Sequence, residues 1–425
     1  MLAKPKPRDI IEESRWVTIH RERGGIAVDE QNMRQDLVHH ATAEAHRILG
    51  FWRSQVLTAD GKFHGRIDQE GKVEENASRG LVLAARLLWT FSKAHLSGLE
   101  SKASTVSMVD DLYRFLVGTF WDNDYLGFYW MVDVHGAPVQ AHKHLYGQAF
   151  ALYALAEYYA LSRKPEVLHW AQLTYEVIED YGADRDRGGY LESFTQSFEL
   201  DREARLSTIN HGAPKTMNTH LHLLEAYTRL YQVWPNPHLR QRLSQLLNTV
   251  RTFIVDPETF HFRCFLDRDW NSLSSEASYG HDIEGSWLML EAAIALDDAE
   301  RVKDFEMLAL KMVDAVWKEG VDADHGVMNE GIDGRITDGG KDWWPQAEAV
   351  VGLVNAYQIS GDLQYLERAS LVWSFIERYV IDRKHGEWHG RLSRRAEPRP
   401  SNLVDAWKCP YHNTRACLEV IQRLT

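Results

Sequence analysis

A pattern that recurs six times limits what this chain of 425 residues can fold into. Turn-rich segments, each carrying one large residue, return at near-constant spacing along the chain. They are DGKFHGRID around Phe63, DYLGFYWMVD around Phe128, DRGGYLESF around Tyr190, DPETFHFRCFLD around Phe262, DHGVMNEGID around Val327 and KHGEWHGRL around Trp388. The intervals between these anchors are 65, 62, 72, 65 and 61 residues. Each segment reads as a turn with one or two short strands, and each interval holds two helical patterns. In the second interval, HLYGQAFALYALAEYYAL (144–161) is apolar almost all round, as suits a helix buried on several sides. After a turn at SRKP, with Pro165 suited to a helix start, Val167, Trp170, Ala171, Thr174 and Ile178 line a single face.

A buried helix followed by a one-faced helix, six times over, describes an inner ring wrapped by an outer ring. The expected fold is all-α, an (α/α)6 barrel with short β-hairpins between helix pairs. An open helical solenoid has the same local pattern. Residues 36–425 are expected to form a single catalytic domain. Residues 1–35 form an N-terminal extension whose only strand-like piece is GGIAV at 24–28.

Charge narrows the function. With 48 basic against 61 acidic residues, the net charge is −13, so no basic surface invites nucleic acid or anionic lipid. Three cysteines cannot make a disulfide framework. The first residues, MLAKPKPRDIIEESRW, lack the apolar core of a signal peptide, and a cytoplasmic location is expected. The 15 Trp, 17 Tyr and 20 His stand out, and most of the Trp and Tyr suit the filling of a large helical core. Such rings also wall carbohydrate clefts, where aromatic faces meet the C–H faces of a sugar.

Polar residues foreign to a core recur where the buried helices begin. Arg86 lies inside LVLAARLLWTF, and Tyr146 opens the second buried helix. Asn218, His220 and His222 lie in MNTHLHLLEAY, and His281 and Glu284 in SYGHDIEGSWLML. Trp343 and Trp344 lie in DWWPQAEAVVGL, and Trp407 and His412 in DAWKCPYHNTRACL. In a closed barrel all of them point to one mouth. Other fates are open for each. Arg86 suits a buried ion pair as well as a ligand site, and Asp282 beside His281 is available as a helix N-cap. Asn218 and His222, four apart, share a helix face, whereas His220 points elsewhere and suits a core histidine bonded to a carbonyl. His220, His222, His281 and Glu284 could ligate a metal, but no HExxH or CxxC pair supports one. GxGxxG, Walker A and GxSxG motifs are also missing. No metal or cofactor is expected.

GLVLAARLLWTFSKAH, KHLYGQAFALYALAEYY, MNTHLHLLEAYTRLY, SYGHDIEGSWLMLEA, WWPQAEAVVGLVNAY and WKCPYHNTRACLEVI together resemble the cellobiose 2-epimerases. These belong to the N-acylglucosamine 2-epimerase superfamily of (α/α)6 barrels. The likeness runs from about residue 40 to the C-terminus. It implies cofactor-free inversion at C2 of a reducing-end aldose, typically in a β-1,4-linked disaccharide such as cellobiose. Carried over by motif, His281 and His412 are the acid/base pair at C2, and His222 assists ring opening. Arg86, Tyr146, Asn218 and Glu284 match sugar-oxygen and orienting positions, and Trp344, Trp388 and Trp407 match stacking walls. The chain departs from the family at Cys409, where Gly is common, and at Asn210, where some relatives carry an acid. Other activities that suit the scaffold are a mannose 2-epimerase, an aldose–ketose isomerase, or a glycoside hydrolase using a carboxylate pair such as Asp282 and Glu348.

Overall fold

The structure, a computed structural model, describes residues 30–100, 103–201 and 212–425. Twelve long helices follow one another among these residues. They are α1 (Glu30–Phe51), α2 (Leu81–Leu96), α3 (Ala103–Phe115), α4 (Leu145–Ser162), α5 (Pro165–Val177) and α6 (Met217–Val233), then α7 (Pro237–Thr249), α8 (Tyr279–Ala295), α9 (Ala299–Glu319), α10 (Trp343–Ser360), α11 (Leu363–Phe375) and α12 (Tyr411–Leu424). The even-numbered helices are buried on nearly every side; α4 is buried from Leu145 through Tyr158 without a break. The odd-numbered ones bury a single stripe, such as Leu239, Leu243, Leu246 and Leu247 of α7.

Each even helix packs on the next, and α12 returns to α2, while α11 reaches α1 in the outer ring. Closure of the inner ring makes this an (α/α)6 barrel and not a solenoid. The barrel begins earlier than the sequence suggested. Helix α1 starts at Glu30 and buries Met33, Leu37, Ala41, Ala45 and Ile48 along one face. Three polar residues on either side of Met33 hide that periodicity. GGIAV lies outside the described residues.

All six anchors of the repeat occupy one structural position. Just past each outer helix, after a five-residue π-helical turn in every case but α9, one residue bridges to its anchor: Leu57 to Phe63, Trp121 to Phe128, Ala183 to Tyr190, Val255 to Phe262, Val321 to Val327 and Ile381 to Trp388. All six anchor side chains are buried. The two residues before an inner helix then pair antiparallel with the strand beyond the following anchor. Lys143–His144 pairs with Ser193–Phe194, Lys215–Thr216 with Phe265–Leu266, and Lys341–Asp342 with Arg391–Leu392. A bridge between Ile67 and Val404 joins the first hairpin to the last. This belt holds the N-termini of the inner helices around one mouth. Buried lysines of those strands meet carboxylates of the turns, Lys143 with Asp122 at 2.9 Å and Lys215 with Asp184 at 3.1 Å.

Candidate active site

Three registers of the inner helices divide the labour. The fourth residue faces the hairpin and accepts the anchor N–H: Gln148 from Phe128 (2.9 Å), His220 from Tyr190 (3.0 Å), Asp282 from Phe262 (2.7 Å) and Gln346 from Val327 (2.7 Å). The second and sixth residues, four apart on one face, point inward instead. They supply Arg86 from α2, Tyr146 and Phe150 from α4, Asn218 and His222 from α6, Glu284 from α8, Trp344 and Glu348 from α10, and His412 from α12. His281 is the third residue of α8.

These residues share one continuous wall of rings. Centroids run from Trp407 to Tyr146 (5.7 Å), His222 (5.1 Å), Phe150 (4.8 Å), Tyr411 (5.4 Å), His412 (4.9 Å), Trp344 (5.6 Å) and His281 (4.6 Å). Gly280 makes the last step possible, because a Cβ there would sit 2.5 Å from the Trp344 ring.

The histidines differ in how their nitrogens are used. His222 meets Glu225 Oε2 through Nδ1 at 3.0 Å, His281 meets Ser278 Oγ through Nδ1 at 2.7 Å, and His412 meets Glu348 Oε1 through Nδ1 at 2.6 Å. Among the described residues none of the three has a hydrogen bond at Nε2. His220 uses both nitrogens, Nδ1 toward Thr216 O (2.7 Å) and Nε2 from Tyr190 N–H. It is a core histidine bonded to a carbonyl. Burial pushes the His281 imidazole down to about 3, with His222 and Arg86 adding to the effect. Burial also lowers His412, helped by the guanidiniums of Arg86 and Arg415. His281 and His412 therefore rest as neutral imidazoles.

Arg86 is 3% exposed. Its Nη2 donates to Tyr146 Oη at 2.8 Å and its Nη1 to Cys409 Sγ at 3.7 Å. The guanidinium lies over the rings of Phe150 (4.1 Å) and Tyr411 (4.8 Å). No carboxylate among the described residues pairs with it, so the ion-pair alternative for Arg86 does not hold. Asn218 Oδ1 is likewise buried without a partner.

Below the histidines lies a group that local spacing did not reveal. Arg415 of α12 bonds Glu225, Glu284 and, at 2.7 Å, Glu348. Tyr411 Oη donates to Glu225 Oε1 at 2.5 Å. Against the cost of burial, Arg415 and His222 hold Glu225 down at about 2. Burial, with the charge of Glu348 nearby, pushes Glu284 up to about 7. Buried charges in apolar helices, LHLLEAY and NTRACL, were the sequence signal for this group. Ligand atoms of Glu284, Glu348 and His412 lie within 4.8 Å of one another, a spacing that suits a metal ion. The cation that meets both carboxylates here is Arg415.

Two expectations need correcting. Trp388 is 0% exposed, and its indole N–H donates to Glu44 Oε1 at 2.5 Å. As the sixth anchor it points into the core and offers no face to a sugar. Asp282 is neither an N-cap nor a partner for Glu348. The cap position is Ser278, and Asp282 is held by Phe262 N–H and by His261 at 2.8 Å. Trp407 does stand at the mouth, 37% exposed, with Trp130 at 5.9 Å. Asn210 lies outside the described residues.

Residues 61–416 match the model of the N-acylglucosamine 2-epimerase (GlcNAc 2-epimerase) family. The chain belongs to that family. Within it, a cellobiose 2-epimerase of Bacteroides fragilis is 37% identical over 381 residues, covering 88% of this chain and 96% of the relative. The solved structure of a cellobiose 2-epimerase from Bacillus thermoamylovorans superposes with a TM-score of 0.87 at 34% identity, over 92% of this chain and all of that one. A D-mannose isomerase of Marinomonas mediterranea is more distant, 23% identical over 402 residues, covering 90% of this chain and 97% of the relative. Family membership makes this chain a carbohydrate epimerase, an isomerase. Among the described residues no helix is long and apolar enough to cross a membrane.

Proposed function

We propose that the chain inverts C2 of the reducing-end sugar of a β-1,4-linked disaccharide, converting cellobiose to 4-O-β-D-glucosyl-D-mannose. One observation carries this reading. Among the described residues, three histidines are each held by Nδ1 with Nε2 left unbonded, around a buried guanidinium that no carboxylate pairs with.

The chemistry asks for such a set. The C2 proton becomes acidic only after the ring opens and C1 becomes an aldehyde. His222 at the O1 side and Arg86 with Tyr146 on the sugar oxygens serve that step. His281 Nε2 then takes the C2 proton and becomes an imidazolium, leaving a cis-enediolate. The oxyanion is the charge that Arg86 lacks, offered by a preorganised donor in a water-poor site. An imidazolium at His412, its charge matched by Glu348, returns a proton to C2 from the opposite face. His281 then carries the proton and His412 is neutral, the state that runs the reverse epimerisation. The proton that arms His412 is drawn from its own group, where Glu284 Oε1 lies 4.0 Å from Nδ1. No redox step occurs, and no cofactor is required.

Trp407 and Trp130 at the rim supply an apolar face beyond the reducing-end sugar, which favours a disaccharide over a free hexose. The test is proton NMR of cellobiose and, separately, of mannose in D2O with the purified protein. Glucosylmannose carrying deuterium at C2 is the expected product. Conversion of mannose alone would assign a monosaccharide epimerase, and a ketose product would assign an isomerase. Released glucose would assign a hydrolase, and no exchange in either sugar would overturn the proposal.

A further inference from the structure

We propose that Arg415 is a positioning residue that ties the carboxylate behind His412 to the carboxylate behind His222 and sets how readily His412 holds a proton. The inference rests on the epimerase reading for its meaning in turnover.

Arg415 lies three residues after His412 on α12 and is 1% exposed, beneath the rings that face the sugar. Its fork is divided between the two histidine-bearing sides of the barrel. Nη1 goes to Glu225, the carboxylate that holds His222, and Nη2 goes to Glu348, the carboxylate that holds His412. Glu284 shares Nη2 through its own Oε1. Stacking fixes the plane of the fork, with Trp287 at 4.8 Å and Tyr411 at 4.3 Å from the guanidinium carbon. Two His–Glu pairs from different helices therefore end on a single cation.

The consequence is electrostatic. Arg86 on α2, Tyr153 on α4, His222 and Glu225 on α6, His281 and Glu284 on α8, and Glu348 on α10 surround His412 and Arg415. Among the described residues Arg415 is the only cation bonded to the three carboxylates Glu225, Glu284 and Glu348. A proton arriving on His412 strengthens its bond to Glu348 and weakens the hold of Nη2 on that carboxylate. Nη2 is then free to favour Glu284, while Nη1 keeps Glu225 charged behind His222. Proton movement at His412 thereby redistributes the Nη2 bonds between Glu348 and Glu284. Lysine cannot substitute fully, because one ammonium lacks the planar fork that reaches three carboxylates.

The test compares wild type with Arg415→Lys and Arg415→Met, with two readouts. One is the pH profile of kcat/KM for cellobiose epimerisation. The other is titration of 15N-labelled histidines by NMR, His412 and His222 being assigned by their own Asn variants. Removing the cation stabilises protonated imidazole. In Arg415→Met the His412 titration and the acid limb of kcat/KM should both rise by about one pH unit or more. Arg415→Lys should show a smaller rise in both. Falling activity with an unmoved profile and unmoved titrations, in a folded variant, would reduce Arg415 to a structural clamp and overturn the inference. If Arg415→Met does not fold, the titration of Arg415→Lys decides the matter in the same way. Titrations that move in a protein that epimerises nothing would overturn the proposed function and leave the coupling standing.

Discussion

Arg86→Met separates a charge kept for chemistry from one kept for folding. In the folded chain Arg86 has one charge-assisted hydrogen bond to Tyr146, at 2.8 Å, worth about 1.5–3 kcal/mol. Its two ring faces, Phe150 and Tyr411, add about 1 kcal/mol each. Against these stands the desolvation of a buried ion, several kcal/mol, which no carboxylate among the described residues offsets. Methionine fills a similar volume among apolar neighbours, so the contributions nearly cancel. The thermal midpoint of Arg86→Met should match or exceed that of wild type. Turnover should behave oppositely, because a lost oxyanion donor costs about 10²–10³ in kcat, or about 2.7–4 kcal/mol. The assays are thermal unfolding and the rate of deuterium incorporation at C2 from D2O. Arg415→Met is the internal contrast, since stranding buried carboxylates costs about 3–5 kcal/mol of stability. A sharply destabilised Arg86→Met with turnover within a few-fold of wild type would refute the reasoning and make Arg86 a structural residue.

Other residues give equally distinct outcomes. Trp388→Phe, which removes the indole bond to Glu44, should lower stability by about 1–3 kcal/mol and leave KM for the sugar unchanged; a raised KM would return Trp388 to the site. Trp407→Ala should raise KM for cellobiose more than for mannose, whereas equal penalties would confine Trp407 to the reducing-end sugar. Burial pushes Glu192 up to about 7, above its unfolded value, so wild type loses stability relative to Glu192→Gln as pH rises from about 4.5 to 7. The gap should reach on the order of 3 kcal/mol above pH 7 and vanish near pH 4; a gap that does not change with pH in denaturation curves would contradict a buried protonated carboxyl. Exhaustive chelation should leave epimerisation unchanged, and a loss restored by a divalent metal would make Glu284, Glu348 and His412 a metal site.

What the sequence revealed is what repeats locally. The six anchors stood out because each bridges to the end of an outer helix a few residues earlier, a contact within reach of pattern reading. Arg86, Tyr146, His222, His281 and His412 stood out because a polar side chain near the start of a buried helix is conspicuous. The Arg415 group did not, since its bonds join residues up to 190 positions apart, and nothing in LHLLEAY states which cation Glu225 meets. Trp388 was misjudged for a different reason. The repeat makes it an anchor and the family resemblance makes it a sugar wall, yet a residue at the anchor register points into the core. The repeat already contained the answer.

The same register argument makes a prediction about the two histidines of THLH. In α4 and α10 the fourth position is glutamine, and each glutamine makes a pair of bonds to its anchor. Gln148 accepts from Phe128 N–H and donates to Phe128 O at 2.8 Å, and Gln346 does the same with Val327 at 2.8 Å. Gln346 also donates to Asp342 O, four residues back, at 3.0 Å, as His220 does to Thr216 O. Glutamine can therefore satisfy the same backbone groups in α6. His220→Gln should cost no more than about 1.5 kcal/mol, the scale of a repacked hydrogen bond, and keep turnover close to wild type. His222→Gln, two residues on but at the inward register, keeps a donor toward Glu225 and loses the titratable nitrogen. It should fold normally and lose on the order of 10²–10⁴ in kcat, as removal of a proton-transfer group does. If His220→Gln proves the more damaging to turnover in a stable protein, the division of labour between the fourth and sixth positions is wrong.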